Sequence, residues 1–300
     1  MLRLASNDEK TIIQDIWHEQ SFDLGFDNYY FAAMYSKSMH YVLANENIET
    51  VIDVMKHAMM LNGRKLSVSL ISGIKTASKY RFKDNEKILL EEVLSQLSRQ
   101  DLVSLVHAKD KELYLAAGFE LIYLRNCYHI ERYLFDGVET HGVTHEFESI
   151  DLLKAYNRFV ERFNAYILRD KEYYDDYLIQ LEFRNMHLMA VYLDGEIKGY
   201  FSFKIIGDEL YINECIYSDI KTLAKIISYS LKLAKDVYLY VSEAEHLEKV
   251  FKNIKFKTSE YMLARINDYD LFNQLYGCDV TDVKSAMNLF NYPLYIREDL

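Results

Sequence analysis

Residues 69–94, SLISGIKTASKYRFKDNEKILLEEVL, place an apolar strand, a short basic turn and a helix start in series. Lys79, Arg81, Lys83 and Lys87 bring positive charge to that turn. The first amides of a helix lack intrahelical acceptors and the helix dipole adds partial positive charge there, so such a turn suits an anion, above all a phosphate. Two acids stand in the same stretch, Asp84 and Glu86. A carboxylate about 5 Å from a phosphate charge, at an effective dielectric near 20, costs roughly 3 kcal/mol per pair. Asp84 is also placed to cap the helix amides itself. Arg81 and Lys83, just before the helix, are read as phosphate contacts rather than solvated surface charge.

Other residues carry weaker signals. Ser104 and His107 close a short apolar run at 102–106, and ligands often sit at the ends of central strands in open α/β sheets. His107 reads as a pocket or capping residue rather than a base. His141, His145 and Glu146 do not share a helical face, and no third ligand is implied, so no metal is expected. Glu214 lies in an apolar strand and reads as a paired structural carboxylate. Tyr29, Tyr30 and Phe31 read as core.

The elements that must position these residues follow from periodicity. Helices are expected at 7–20 and 28–38, then three antiparallel strands at 39–44, 48–59 and 64–75, with Asn62-Gly63 a preferred tight-turn pair. A helix at 84–98, a strand at 102–106, a helix at 110–116 ending at Gly118 and a strand towards Ile130 complete the first half. Residues 136–149 read as a linker. The order then recurs: helices at 150–166 and 170–183, strands at 186–193, 197–206 and 209–217, a helix at 219–235, a strand at 237–241, a helix at 243–252 and a strand at 261–266. The expected class is α/β with mixed sheets, in two units at 1–135 and 150–267, followed by a tail at 268–300.

Composition narrows the function classes. With 35 Lys and Arg against 46 Asp and Glu, the net charge of −11 argues against a nucleic-acid partner. Only 10 glycines and one proline in 300 residues exclude collagen-like and linker-rich chains. Cys127, Cys215 and Cys278 form no paired framework, which fits a reducing compartment. No apolar run reaches the length of a membrane span, and MLRLASNDEK holds no leader-like run, so a cytoplasmic location is expected. Oligomeric state is left open, a homo-oligomer included.

The strand, basic turn and helix at 69–94, together with DKELYLAAGF at 110–119, resemble the GNAT N-acetyltransferases. YVLANENIETVI, LNGRKLSVSLISGIKT and YLDGEIKGYFSF resemble the enhanced intracellular survival (Eis-like) branch, which has two tandem GNAT folds. The resemblance covers 1–266 in element order and implies acetyl-CoA as co-substrate and a primary amine, on a small molecule or peptide, as acceptor. It places Ile74 and Thr76 along the pantetheine arm, with Arg81, Phe82, Lys83 and Asn85 at the diphosphate. Tyr114 becomes the acid that protonates the departing thiolate. The family's turn glycine falls at Asp84, and a β-carbon there obstructs close approach to phosphate. The second half has no such turn and is expected to bind no CoA. The alternative is a degenerate fold serving as a binding or regulatory module; a third reading is a partner scaffold through Tyr292-Pro293-Leu294.

Overall fold

The computed structural model describes residues 1–300 apart from Phe22, Phe82, Lys83, Lys109, 132–134, Asp136, Lys252, Asn253, Asn291, Asp299 and Leu300. In chain order the strands are β1 (Leu2–Leu4), β2 (Met39–Ala44), β3 (Ile48–Leu61), β4 (Arg64–Thr76), β5 (Val103–Val106), β6 (Glu120–Ile130), β7 (Val143–Thr144), β8 (Ala165–Ile167), β9 (His187–Leu193), β10 (Glu196–Ile206), β11 (Glu209–Tyr217), β12 (Asp236–Ser242), β13 (Lys255–Ile266) and β14 (Leu294–Tyr295). The helices are α1 (Lys10–His18), α2 (Leu24–Tyr29), α3 (Asn85–Leu97), α4 (Glu112–Ala116), α5 (Ser149–Val160), α6 (Lys171–Phe183), α7 (Ile220–Leu233), α8 (Tyr269–Tyr276) and α9 (Val283–Met287). Among the described residues, no helix is long and apolar enough to cross a membrane.

All these strands join one mixed sheet whose main path runs β1-β2-β3-β4-β5-β13-β6-β12-β11-β10-β9-β7. The two halves exchange strands at its centre. β13, late in the chain, pairs with β5, while β6 pairs with β12, and β6 and β13 pair with each other. Neither half therefore closes its sheet without a strand from the other. α3 buries Leu89, Leu90, Val93, Leu94 and Leu97 against Ile52, Val54, Ile71 and Val106. Each such side chain contributes about 1.5–3 kcal/mol. α1 and α2 cover the opposite face, where Ile13, Trp17 and Tyr30 pack on Val51 and Met55. Tyr29, Tyr30 and Phe31 are core, as expected.

Two parallel strand pairs share one irregularity. β4 and β5 pair only as far as Ile71 and Val106, and the β3–β4 register then skips Ser72, an extra residue bulged out of β4. β11 and β12 pair only as far as Ile212 and Leu239, and the β10–β11 register skips Asn213. Each pair thus splays beyond a bulge on its longer strand. The bulge shifts side-chain parity, which is why Ile71 and Ile74 both pack towards α3.

Several elements depart from the pattern-based expectation. The helix expected at 150–166 stops at Val160, and Ala165–Ile167 extends to pair with β3 and β14. The helix expected at 243–252 is instead two 3₁₀ turns, Glu243–Glu245 and Leu247–Lys249, separated by His246 at φ 48°. The helix expected at 28–38 begins at Leu24 and widens into a π-helical turn over Tyr30–Met34. The 268–300 tail folds back through α8, α9 and β14, and Tyr295, Ile296, Arg297 and Glu298 are buried. Within the expected linker, β7 docks on β9. Gly142, at φ +86°, precedes it, and a Cβ there would lie 2.0 Å from the Tyr192 carbonyl oxygen. Gly142→Ala is expected to detach this edge and lower unfolding free energy by about 2 kcal/mol in urea denaturation. Unchanged stability would show that the edge contributes nothing.

Candidate functional site

The first splay assembles most of the residues named from sequence. β4 carries Ile74 and Thr76 past the end of its pairing with β5, and Ile74 packs in the α3 cluster with Tyr114. Tyr114 is buried on α4, edge-on to Phe119 at 5.7 Å. Burial, and then the nearby charges of Glu86 and Asp110, push its hydroxyl far above the ordinary phenol range. It therefore stays protonated, as a proton donor must.

The turn after β4 is dense with carboxylates. Thr76 Oγ1 donates to Glu86 Oε1 at 2.9 Å and meets Thr50 Oγ1 at 3.1 Å. Asn85 is buried and donates to Glu49 Oε2 at 2.8 Å. Ser78 gives both its amide and its hydroxyl to Glu19, whose carboxyl those bonds hold below the usual range, with Arg81 adding a smaller contribution. Arg81 is exposed; Phe82 and Lys83 lie outside the described residues.

One expectation about this turn is corrected. Asp84 occupies the N-cap position of α3, yet its side chain accepts no capping hydrogen bond. Its backbone, at φ −73° and ψ 23°, is not the extended conformation that aims an N-cap side chain at the next amides. By contrast Asp23, Asp170, Asp219, Asp268 and Asp282 each cap the helix they precede.

The second splay is closed by the chain itself. Arg125 donates to the Asn213 carbonyl at 2.8 Å, and Tyr217 donates to Glu245. Glu214 is fully buried between Arg169, at 2.9 Å, and Arg297, at 2.7 Å. The paired reading of Glu214 holds. Burial alone would raise its pKa, but the two guanidinium groups more than reverse this and leave it below the ordinary value.

Between the halves lies a cavity of about 40 Å³ lined by Tyr29, His57, Tyr173, Asp176 and Glu298. Tyr173 donates to Glu298 Oε1 at 2.9 Å. Burial, with Arg169 nearby, brings His57 down to about 4, so the ring is neutral. His107 does not join this cavity's lining; it stacks on Tyr261 at 4.2 Å. Ser104 hydrogen-bonds with Asn267. His141 lies on the surface beside Glu139, and among the described residues no three ligating side chains converge on a metal position.

Sequence reasoning missed the bulge at Ser72, the acid Asp53 opposite it, and the tail residues Arg297 and Glu298. Asp53 had a legible signal, a lone acid in the apolar run TVIDVM. The tail residues had none, because the side-chain partners Glu214 of Arg297 and Tyr173 of Glu298 lie more than eighty positions away.

This arrangement of splayed parallel strands, bulge and following helix defines a class. No family model matches the chain, and no curated protein matches it in sequence. Solved structures do match. A probable N-acyltransferase of unknown function from Enterococcus faecalis superposes with TM-score 0.75 at 16% identity, over 89% of this chain and 72% of its own. A GCN5-related N-acetyltransferase from Anabaena variabilis gives 0.74 at 14%, over 89% and 73%. Eis1 from Mycobacterium abscessus gives 0.69 at 10%, over 96% and 80%. The chain has the GNAT fold, and that fold resembles the one in Eis-like proteins.

Proposed function

We propose that the protein is a GNAT-type N-acyltransferase that takes acetyl-CoA as co-substrate and transfers the acetyl group to a primary amine. The observation that carries this reading is the first splay. β4 parts from β5 at a bulge, a Cβ at Gly73 would meet nothing within 4 Å, and the helix that follows is left uncapped by its own Asp84. A thioester arm fits beside a strand whose edge is released in this way, and a diphosphate fits an uncapped helix start. The co-substrate supplies an activated acyl carbon.

The chain's own groups supply the rest. Ile74 and Thr76 flank the arm, Arg81 and Lys83 add charge for the diphosphate, and Asn85 opens α3. Backbone amides at the bulge polarise the thioester carbonyl. Tyr114 returns a proton to sulfur. Carboxylates and tyrosine rings around the cavity between the halves suit a cationic acceptor. We read 1–135 and 150–267 as two units of one architecture, a reading supported by the repeated bulge, with the second unit shaping the acceptor side. The location is taken as cytoplasmic.

Titration calorimetry with acetyl-CoA tests the assignment. Micromolar binding is expected. No heat at millimolar ligand favours the degenerate module, for which the carboxylates on Thr76, Ser78 and Asn85 speak.

A further inference from the structure

The two splays serve as internal controls for each other. Register aligns Ser72 with Asn213, Gly73 with Glu214 and Asp53 with Ser202. In the second splay Ser202 accepts from Tyr177, Glu214 is neutralised by two arginines, and the Asn213 carbonyl is taken by Arg125. Orphaned atoms occur in both: among the described residues, Ser72 Oγ and Asp53 Oδ2 in the first splay and Glu214 Oε2 and Arg169 Nε in the second are buried without a hydrogen-bond partner. The first splay differs in that open space lies at Gly73, the residue paired with Asp53, where the second has the side chain of Glu214. Buried polar atoms are nearly always partnered, and exceptions call for a functional or solvent explanation.

Asp53 is fully buried and is held on its other oxygen. His40 Nδ1 bonds Asp53 Oδ1, and His40 Nε2 lies 2.8 Å from the Tyr35 carbonyl. A carbonyl only accepts, so Nε2 carries a hydrogen, and the proton between Nδ1 and Oδ1 belongs to the pair. The indole N–H of Trp17 faces Asp53 and favours the ionised carboxylate. The other titratable groups facing Asp53 are Lys75 on β4 and Tyr30 and Tyr35 on the turns after α2.

We propose that Asp53, oriented by His40, is the base that accepts the proton from the incoming ammonium group at the β4 bulge. This rests on the acyl-transfer reading above. The ammonium sheds two protons. The first passes to Asp53 Oδ2 and from there to solvent. The nitrogen lone pair then forms the C–N bond, the C–S bond breaks with its electron pair on sulfur, and the second nitrogen proton is balanced by the one delivered to sulfur. Asp53 is a catalytic residue in this scheme and His40 a positioning residue. Burial, opposed by His40, keeps Asp53 above the ordinary carboxylate pKa, so the acid limb of the rate profile lies above that range too.

Full-length wild type, Asp53→Asn and His40→Asn are compared by acetyl-CoA calorimetry and by thiol release with 1,4-diaminobutane from pH 5 to 10. Asp53→Asn is expected to bind acetyl-CoA as wild type does, to lose at least a hundredfold in kcat and to lose the acid limb. His40→Asn is expected to shift that limb to higher pH, because the buried carboxylate loses its partner. The second variant decides the matter if the first does not fold. Wild-type turnover with unmoved limbs in the folded variants overturns the base assignment alone. A wild type that does not bind acetyl-CoA, or binds it without releasing thiol at any pH, overturns the acyl-transfer reading and the base with it.

Discussion

Arg169→Ala is expected to destabilise the protein by about 3–5 kcal/mol, the cost of breaking one side of a buried charge cluster. The Arg169 side chain is fully buried. Nη1 donates to Glu214 Oε1 at 2.9 Å and to Tyr200 Oη at 3.2 Å, and Nη2 donates to the Arg297 carbonyl at 3.3 Å. The guanidinium also lies 4.2 Å over the Tyr156 ring and 4.5 Å over Tyr173. Alanine removes the fork and leaves Glu214 with Arg297 as its one cation. Arg169→Lys keeps the charge without the fork, and an intermediate loss is expected. The sign of the pH dependence follows from Glu214, whose folded-state pKa is lowered. Its contribution is therefore present above the unfolded carboxylate value and lost as pH falls through the lower folded value. Urea midpoints taken at neutral pH and below pH 4 should show this acid limb in wild type and a flattened one in Glu214→Gln. If Arg169→Ala were as stable as wild type, the cluster would be a spectator.

This cluster also marks the boundary of what the sequence discloses. Local patterning was sufficient where partners are neighbours. The alternation through β2, β3 and β4, the Asn62-Gly63 turn and Gly118 past the end of α4 at φ +84° all appear as read. Patterning was insufficient where the partner is remote. β8 looks like the end of a helix because β3 and β14, which hold it extended, lie about a hundred positions away on either side. The strand exchange is silent for a similar reason. The apolar stretches of β6 and β13 read the same whichever strands flank them, and hydrophobic pattern names a face, not a neighbour. The stretch 243–252 has helical composition, but Ser242 and Glu245 form a capping box around a single turn, Tyr217 anchors Glu245, and His246 turns left-handed after it. Among the proposed site residues, Thr76, Asn85 and Tyr114 were named through the motif, whereas Asp53 and Ser72 become visible only when register sets Asp53 opposite Gly73, next to the bulged Ser72.

The same register comparison shows why the halves are not equivalent. An identical bulge and splay were built twice, and in the second the space is taken by Arg125, by the Tyr217–Glu245 pair and by the returning tail. Tyr295 packs among Phe159, Phe163 and Tyr123, while Arg297 reaches Glu214. In the second half the chain itself thus lies beyond the bulge, and the tail that fills it also carries Glu298 to the cavity facing the first half. Chemistry, if concentrated in one copy, belongs in the one whose buried carboxylate borders open space at Gly73 rather than in the one whose carboxylate is held by two arginines.

Glu86→Gln is expected to tighten acetyl-CoA binding about tenfold, and more than Asp84→Gly does. Glu86 sits in the first turn of α3 and accepts from Thr76 Oγ1 at 2.9 Å, where the diphosphate would approach. Repulsion of roughly 3 kcal/mol per charge pair at about 5 Å is reduced by Arg81 and Lys87, and about 1.4 kcal/mol of net relief corresponds to the tenfold gain. Glutamine keeps an acceptor for Thr76, so the end of β4 stays fixed and only the charge changes. Asp84 is exposed and makes no capping bond, so its field is screened by solvent and its removal yields less, with part of the gain coming from backbone freedom. Calorimetry at low and at 0.5 M salt separates the causes. The Glu86→Gln advantage should shrink with salt, because the Debye length falls well below 10 Å, whereas a steric advantage at Asp84→Gly should persist. Binding that is unchanged or weaker in Glu86→Gln would mean that the carboxylates around this turn do not face the diphosphate, and the seat would have to be sought elsewhere along the splay.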